Sequence, residues 1–532
     1  MSWTWADYEP YYRELEARHL TADTVNSFVS DWSALAERVD ETLLRLQVAA
    51  DRDLSDVAAE ERYRAFAAEV VVRADLADRV LRSRLSTGGE SAQGTDAVIQ
   101  SMRISDGDAG ERSTPLSIEE WDIRRAYTRL FALQEVTWEG QRVPIGRLRR
   151  AYEGPDRRLR EKAWRLEMER RLLDAPAIDE LWRRVVRVRR DANAGADVAH
   201  YFHMPTPLPL TPDEARRFRD AVEEFVTSAL VRIHERRRTG LGVRAFRPWD
   251  LGADPLRRRA LTVPDTEHDL VCSVAAALSR VDDRLAENFQ SWCVGEALHL
   301  KRSTRKVPWG HCSYLPVTCV PYIIQNPSGS ARDVEELLHL CGVATFLAGG
   351  SVPYLQRRHP APEALEMSGV ATELRVLHGR SGGAEAIYTG IDIARARMVH
   401  LERSLLRWAL AAMLDAFQRD AYGDGARTAS IGERWSRLWL QFLPSVDVTG
   451  LEDVMANEWQ RHSELFLRPL EAAPRAMGQL VAWRAWIDGG EEHLSRAVAE
   501  VVDGSAGFDA NDLHDVARWI EDQIEHLERA ME

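Results

Sequence analysis

DVEELLHLCGVATF, residues 333–346, is the stretch on which the reading of the fold turns. It is an apolar-backed segment with helical rhythm and a single histidine, His339, at its centre. Immediately before it, VPWGHCSYLPVTCVPYIIQNPSGSA (307–331) is punctuated by Pro and Gly and rich in β-branched and aromatic residues. That composition predicts a small sheet leading into the helix. Most other segments also carry helical periodicity, among them TADTVNSFVSDWSALAERVDETLLRLQVAADRD (21–53) and TPDEARRFRDAVEEFVTSALVRIHERRR (211–238). The second opens with Thr211-Pro212-Asp213-Glu214, a capping residue, a proline at the first helical position and acids in the first turn. EVTWEGQRVPI (135–145) alternates around Glu139-Gly140 and predicts a hairpin. The expected fold class is mainly α with a small β-sheet.

The chain has 532 residues, 45% hydrophobic and 29% charged, ordinary for a soluble globular protein. Its formal net charge of −14 argues against a nucleic-acid partner. Only Lys162, Lys301 and Lys306 are lysines; arginine supplies the rest of the 70 positive charges. Cys272, Cys293, Cys312, Cys319 and Cys341 form no C-x-x-C pair, and their odd number predicts reduced thiols in a cytoplasmic protein. The first residues, MSWTWADYEPYYRELEARHL, have no basic and then apolar leader pattern, and no apolar run approaches the ~18 residues of a membrane span. The Gly-, Ser- and Asp-rich segment 85–116 reads as a mobile connection or lid. Two units are expected, an N-terminal helical lobe over 1–205 and a second helical lobe over 206–532.

A helix that binds zinc catalytically reads H-E-x-x-H: histidines at i and i+4 leave one face, and the glutamate acts as general base on the metal-bound water. Here the same positions read His339-Leu340-Cys341-Gly342-Val343. Leu340 stands at the base position and Val343 at the second ligand position, and neither side chain does that chemistry. The surrounding PYIIQNPSGSARDVEELLHLCGVATF nevertheless resembles the segment of M3-family oligoendopeptidases (the oligoendopeptidase F and thimet group) that reads roughly N-x-x-G-T-x-x-D-V-x-x-L-x-H-E-x-G-H-A-x. Asn326, Gly329, Ser330, Asp333, Val334, Leu337, His339, Gly342 and Ala344 fall in the matching places. EMSGVATEL places Glu366 where the family carries its third zinc ligand, with Glu373 seven residues later. VTWEGQRVPIGRLRRAYEGPDRRLREKAWR, RRRTGLGVRAFRPWDL and EWQRHSELFLRPLEAAPRAMGQLVAWRAW are similar to further family segments in the same order.

The resemblance implies a two-lobed, bowl-shaped helical fold with a deep cleft, and a small sheet beside the site that offers its edge to an extended peptide. It also implies tyrosines in the C-terminal segment that stabilise the oxyanion, but here that stretch is RPLEAAPRAMG (468–478), and no tyrosine follows Tyr422. General base, second zinc histidine and oxyanion-stabilising phenols are thus missing together. The expectation is a degenerate relative that has lost zinc-dependent peptide hydrolysis and keeps a cleft for a peptide or small molecule. The alternative is a cleft re-equipped for a different, metal-independent reaction, with His339, Glu366, His311 and Tyr354 as candidate acid/base or binding groups. A third reading is a metallopeptidase with substituted ligands. Tyr322, Asn326, Gly329 and His462 are candidate substrate contacts, and Gly342 the place where a tryptophan would fill the cleft. No cofactor is expected; a zinc ion would have only His339 and Glu366.

Structural readings stand beside each of these. His339 is equally a core or cleft histidine left by descent, and Glu366 and Glu373 are equally partners for arginines. Cys341 reads as a small buried hydrophobe. His311 and Cys312 are adjacent on a strand and so point to opposite faces, which argues against a dyad. Glu336-x-x-His339 and Glu296-x-x-His299 have the spacing of helical di-metal sites, a spacing common by chance.

Overall fold

A computed structural model describes residues 4–21, 23–87, 113–192, 210–254, 259–264, 266–295, 297–349, 354–358, 360–423, 430–502 and 508–531. Long helices make its frame: α1 (Val25–Arg52), α2 (Arg157–Ala192), α3 (Arg332–Ala348), α4 (Pro362–His378), α5 (Ile391–Tyr422), α6 (Ala472–Gly489) and α7 (Ala510–Met531). The local signals act as the sequence predicts. Thr211 caps the helix Pro212–Ala221 reciprocally, its hydroxyl accepting the Glu214 N–H at 3.2 Å while its own N–H donates to the Glu214 carboxylate at 2.9 Å. Of the segment 85–116, residues 88–112 lie outside the described ones; helices reach Thr87 on one side and begin at Ser113 on the other.

Two small sheets interrupt the helices. In the first, β1 (Glu135–Trp138) pairs antiparallel with β2 (Gln141–Pro144), joined through Glu139 and Gly140, both at positive φ as a two-residue hairpin turn requires. In the second, β3 (Leu298–His299), β4 (His311–Leu315) and β5 (Val320–Ile324) lie in the order β3-β5-β4. β5 runs parallel to β3 and antiparallel to β4, with Ser313 opposite Tyr322. Lys306, one of the three lysines, is buried behind this sheet and donates to the carbonyls of His299, Lys301 and Gln325. Burial lowers its ammonium to about 8, a cost held down by three acceptors.

The sheet hands over to α3 through a carboxylate cap. Asp333 accepts the N–H groups of Ser328 at 2.9 Å, Gly329 at 2.5 Å and Ser330 at 3.1 Å, and Gly329 takes the positive φ of +85° that this loop needs. α3 then lies across α4 at very close range. A Cβ at Gly342 would stand 2.3 Å from the Ser368 carbonyl oxygen and 2.6 Å from the Thr372 hydroxyl. Gly342 is therefore a helix-crossing glycine, and a tryptophan there would break the α3–α4 contact instead of filling a cleft.

The largest hydrophobic core draws on both sides of the expected boundary near residue 205. It joins Ile123, Tyr127 and the α2 residues Trp182 and Val185 to α4, α5, α6 and α7, around the buried Trp408, Trp435, Trp459 and Trp483. A second core lies under the three-stranded sheet and α3 and contains Cys341, 1% exposed, which fits the small-hydrophobe reading. A third packs Tyr8, Phe28, Trp32 and Leu81 near the N-terminus. Among the described residues no helix is long and apolar enough to cross a membrane. Gly342→Ala should cost ~1–3 kcal/mol through overpacking of the crossing, read as a lower denaturation midpoint with an unchanged slope.

Candidate functional site

The predicted site residues His339 and Glu366 do come together. His339 leaves the mid-point of α3 toward α4, and the ring fits because residue 369 is glycine: a Cβ there would lie 2.3 Å from the His339 ring. Its Nδ1 is 2.8 Å from Glu373 Oε1, and its Nε2 is 3.7 Å from Glu366 Oε2, both carboxylates being on α4. Nδ1 is thus anchored, and Nε2 is the nitrogen turned to Glu366.

Glu373 is the hub. It is fully buried, and its second oxygen is 2.8 Å from His400 Nε2 and 3.3 Å from Arg407 Nη1, both on α5. His400 Nδ1 lies in turn 3.1 Å from His378 Nε2, so a polar chain runs His339–Glu373–His400–His378 through the contact of three helices. Burial alone would push the Glu373 carboxyl up, but Arg407, His339 and His400 outweigh it and hold the group well below the ordinary carboxylate range. His378 is driven well below the usual imidazole value by burial, then by His400 and Arg397, and so is neutral. For His339 burial works downward, yet Glu366 and Glu373 prevail and its pKa is raised.

Glu366 has a second partner. Arg475 on α6 places Nη1 3.4 Å from Glu366 Oε2 and Nη2 3.1 Å from Glu471. Arg475 belongs to the RPLEAAPRAMG stretch, where the resemblance would put phenols. The alternative reading of Glu366 and Glu373 as arginine partners is therefore realised in both cases. Leu340 and Val343 are buried apolar side chains with no donor atom. Among the described residues no three His, Cys, Asp or Glu side chains are grouped to hold a metal ion. His339 and Glu366 alone fall short of the three protein ligands of a catalytic zinc site, and a guanidinium already neutralises Glu366.

The remaining candidates have partners of their own. His311 sits on β4 with Nε2 3.5 Å from Asp51 of α1; burial lowers its pKa against the pull of Asp51. Cys312 packs on the core behind the sheet, where burial lifts its thiol to about 12, so the two form no dyad. The Tyr354 hydroxyl donates to Asp40 at 2.8 Å, beside Arg358 on the same carboxylate, and ties its segment to α1. Tyr322 packs with Leu54, Val307 and Ile324. Asn326 braces a loop, donating to the Ser303 carbonyl at 2.8 Å and accepting its N–H at 3.2 Å. His462 Nε2 lies 3.1 Å from Glu458, with its ring against Trp435. Glu336 turns away from His339 and accepts the Gly310 N–H and the Gln325 amide, both at 3.0 Å. Glu296 lies outside the described residues.

His378, His400, Arg407 and Arg475 went unread in the sequence. No fixed spacing joins them to His339; only the helix packing does. Glu373→Ala would leave two imidazoles and a guanidinium around an empty position and should cost about 3–5 kcal/mol. Glu373→Gln, which keeps one acceptor, should cost less, and paired denaturant melts give the comparison.

No family model and no curated protein matches the chain. Solved structures do. The chain matches PZ peptidase A, solved with an inhibitor, at a TM-score of 0.87 and 17% identity over 98% of this chain and 96% of that one. A second structure, assigned as an oligoendopeptidase F, gives a TM-score of 0.85 at 18% identity over 99% and 97% of the two chains. A Bacillus anthracis str. Ames protein assigned as an oligoendopeptidase F gives 0.80 at 14% identity over 99% and 96%. Over nearly its whole length the chain has the mainly helical fold of the oligoendopeptidase F structures, the fold that the M3-like motif around His339 implied.

Proposed function

We propose that this chain has left zinc-dependent peptide hydrolysis and uses the cleft expected of its fold to bind a peptide or a small molecule. One observation carries the reading: Arg475, a permanent cation, holds the carboxylate that would be the third zinc ligand, while Leu340 and Val343 stand at the base and second-ligand positions. The position of β4 at the edge of the three-stranded sheet supports an extended ligand, since a peptide can add there as a further strand. Five unpaired thiols agree with a reducing, cytoplasmic setting.

A second reading has its own observation. Glu373 fixes His339 Nδ1 and leaves Nε2 beside Glu366, the arrangement that orients an imidazole for proton transfer. In that case the site is an enzyme for another reaction, with His339 as acid/base and Glu366 beside it.

Elemental mass spectrometry on protein purified without chelator and dialysed against trace zinc tests the first reading. Metal well below one ion per chain, equal in His339→Ala, and no cleavage of an oligopeptide pool are expected. Near-stoichiometric zinc that disappears in His339→Ala, together with peptide cleavage, would overturn it. Turnover of some substrate that persists without metal and vanishes in His339→Ala, with the fold intact, would select the second reading.

A further inference from the structure

Two arginines at the start of α3 have no carboxylate in contact. Arg332 opens the helix, and Glu335 and His339 follow three and seven residues later on one face. Two arginines of α5 reach that face: Arg403 pairs with Glu335, and Arg407 lies 3.3 Å from Glu373. The segment after the β1–β2 hairpin also contacts this helix end. Arg147 donates to the Ser328 carbonyl at 3.0 Å, and Glu153 accepts the Ala331 N–H at 3.5 Å. Arg149, one turn before Glu153, thereby lies near enough to Arg332 for the two charges to act on each other.

Four guanidinium groups from three elements thus converge, and only two have a carboxylate in contact. Among the described residues Arg149 and Arg332 make no ion pair or hydrogen bond with an acidic side chain. The nearby acids are otherwise engaged: Glu336 is held by the Gly310 N–H and the Gln325 amide, and burial raises the Glu153 carboxyl against the pull of Arg403. The crowding is felt at Arg332, whose pKa is lowered to about 10 by Arg149 first, then by burial, Arg403 and Arg407, against an opposing pull from Glu336. Although many protein atoms surround it, Arg332 keeps an exposed surface, so an incoming group can reach it. Like charges held together repel, and a surface lined by one sign of charge raises the local concentration of a ligand of the other sign. Guanidinium forks match carboxylate and phosphate oxygens two at a time.

We infer that Arg149 and Arg332, with Arg403 and Arg407 behind them, form a seat for an oxyanion, a carboxylate or a phosphate carried by the molecule that enters the cleft. The inference rests on the binding reading above and gives its ligand a charge. His339 lies two helical turns along the same face, so a ligand anchored at Arg332 extends past the His339–Glu366 pair.

The experiment is calorimetric titration of the full-length protein at low salt with three probes: inorganic phosphate, tetra-alanine and tetra-alanine amide. A carboxylate seat gives binding of tetra-alanine that is weakened about tenfold or more by Arg332→Gln and by Arg149→Gln, and by loss of the ligand's charge in the amide. A phosphate seat gives the same pattern of mutant effects with phosphate. Arg332→Gln should also raise the thermal midpoint of the ligand-free protein, because it relieves repulsion; a merely structural arginine would lower it. Arg284→Gln, exposed on the helix Asp283–Val294, serves as the neutral control. Equal binding of tetra-alanine and its amide, unchanged in Arg332→Gln, would overturn the seat while leaving the peptide-binding reading in place. Anion binding at Arg332 in a protein that proves to be a zinc peptidase would do the reverse. If neither phosphate nor tetra-alanine binds the wild-type protein, the seat is overturned whatever the midpoint does.

Discussion

A single buried carboxylate organises the centre of this protein. Glu373 has no solvent to share its charge, so its ionised state depends on the groups around it, and those groups come from three helices. His339 from α3, and His400 and Arg407 from α5, converge on one side chain of α4. A buried ion is tolerable only when its hydrogen-bonding capacity is met, and here both oxygens are met. The relative rotation of α3, α4 and α5 is thereby constrained to the arrangement that brings the three partners to one point. The glycines at 342 and 369 are the steric counterpart of that electrostatic demand: they let α3 come close enough to α4 for His339 to reach Glu373.

The same logic separates the inner from the outer half of the site. Inside, the His339–Glu373 contact is complete without a metal, because the imidazole's far nitrogen is not needed for it. Outside, Glu366 faces the space where the resemblance would place zinc, and a carboxylate there needs a positive partner. Arg475 supplies one at 3.4 Å, and Glu366 and Glu373 pull the His339 pKa upward against burial. Arg475 lies in the segment where the resemblance would put tyrosines, and Leu340 and Val343 at the positions where it would put a base and a second ligand.

What could be read from the sequence was what depends on neighbours in the chain. The cap at Thr211, the turn at Glu139-Gly140 and the sheet before α3 are set by residues within a few positions of one another. His339 and Glu366 were legible because a family pattern ties them across 27 residues. His378, His400, Arg407 and Arg475 were not, since their contacts depend on how helices far apart in sequence pack. The partners of Tyr354, Tyr322 and His462 are equally illegible in the sequence. Each side chain has a plausible chemistry, but Asp40, the Leu54 cluster and Glu458 respectively engage them in this fold.

The motif around His339 explains why the fold outlasts so much sequence change. Asn326 braces the loop at Ser303, Gly329 adopts the φ that the loop requires, Asp333 caps three N–H groups, and Gly342 admits α4. Each of these duties is one of covalent geometry, hydrogen bonding or packing, and none involves a metal. Leu340 and Val343 simply join the buried apolar surface, and their side chains take no part in these duties. Agreement at TM-scores of 0.80–0.87 with only 14–18% identity is what such a division produces. Backbone course is held by caps, crossing glycines and a buried carboxylate, while the chemistry carried by a few side chains on the same helices is free to change.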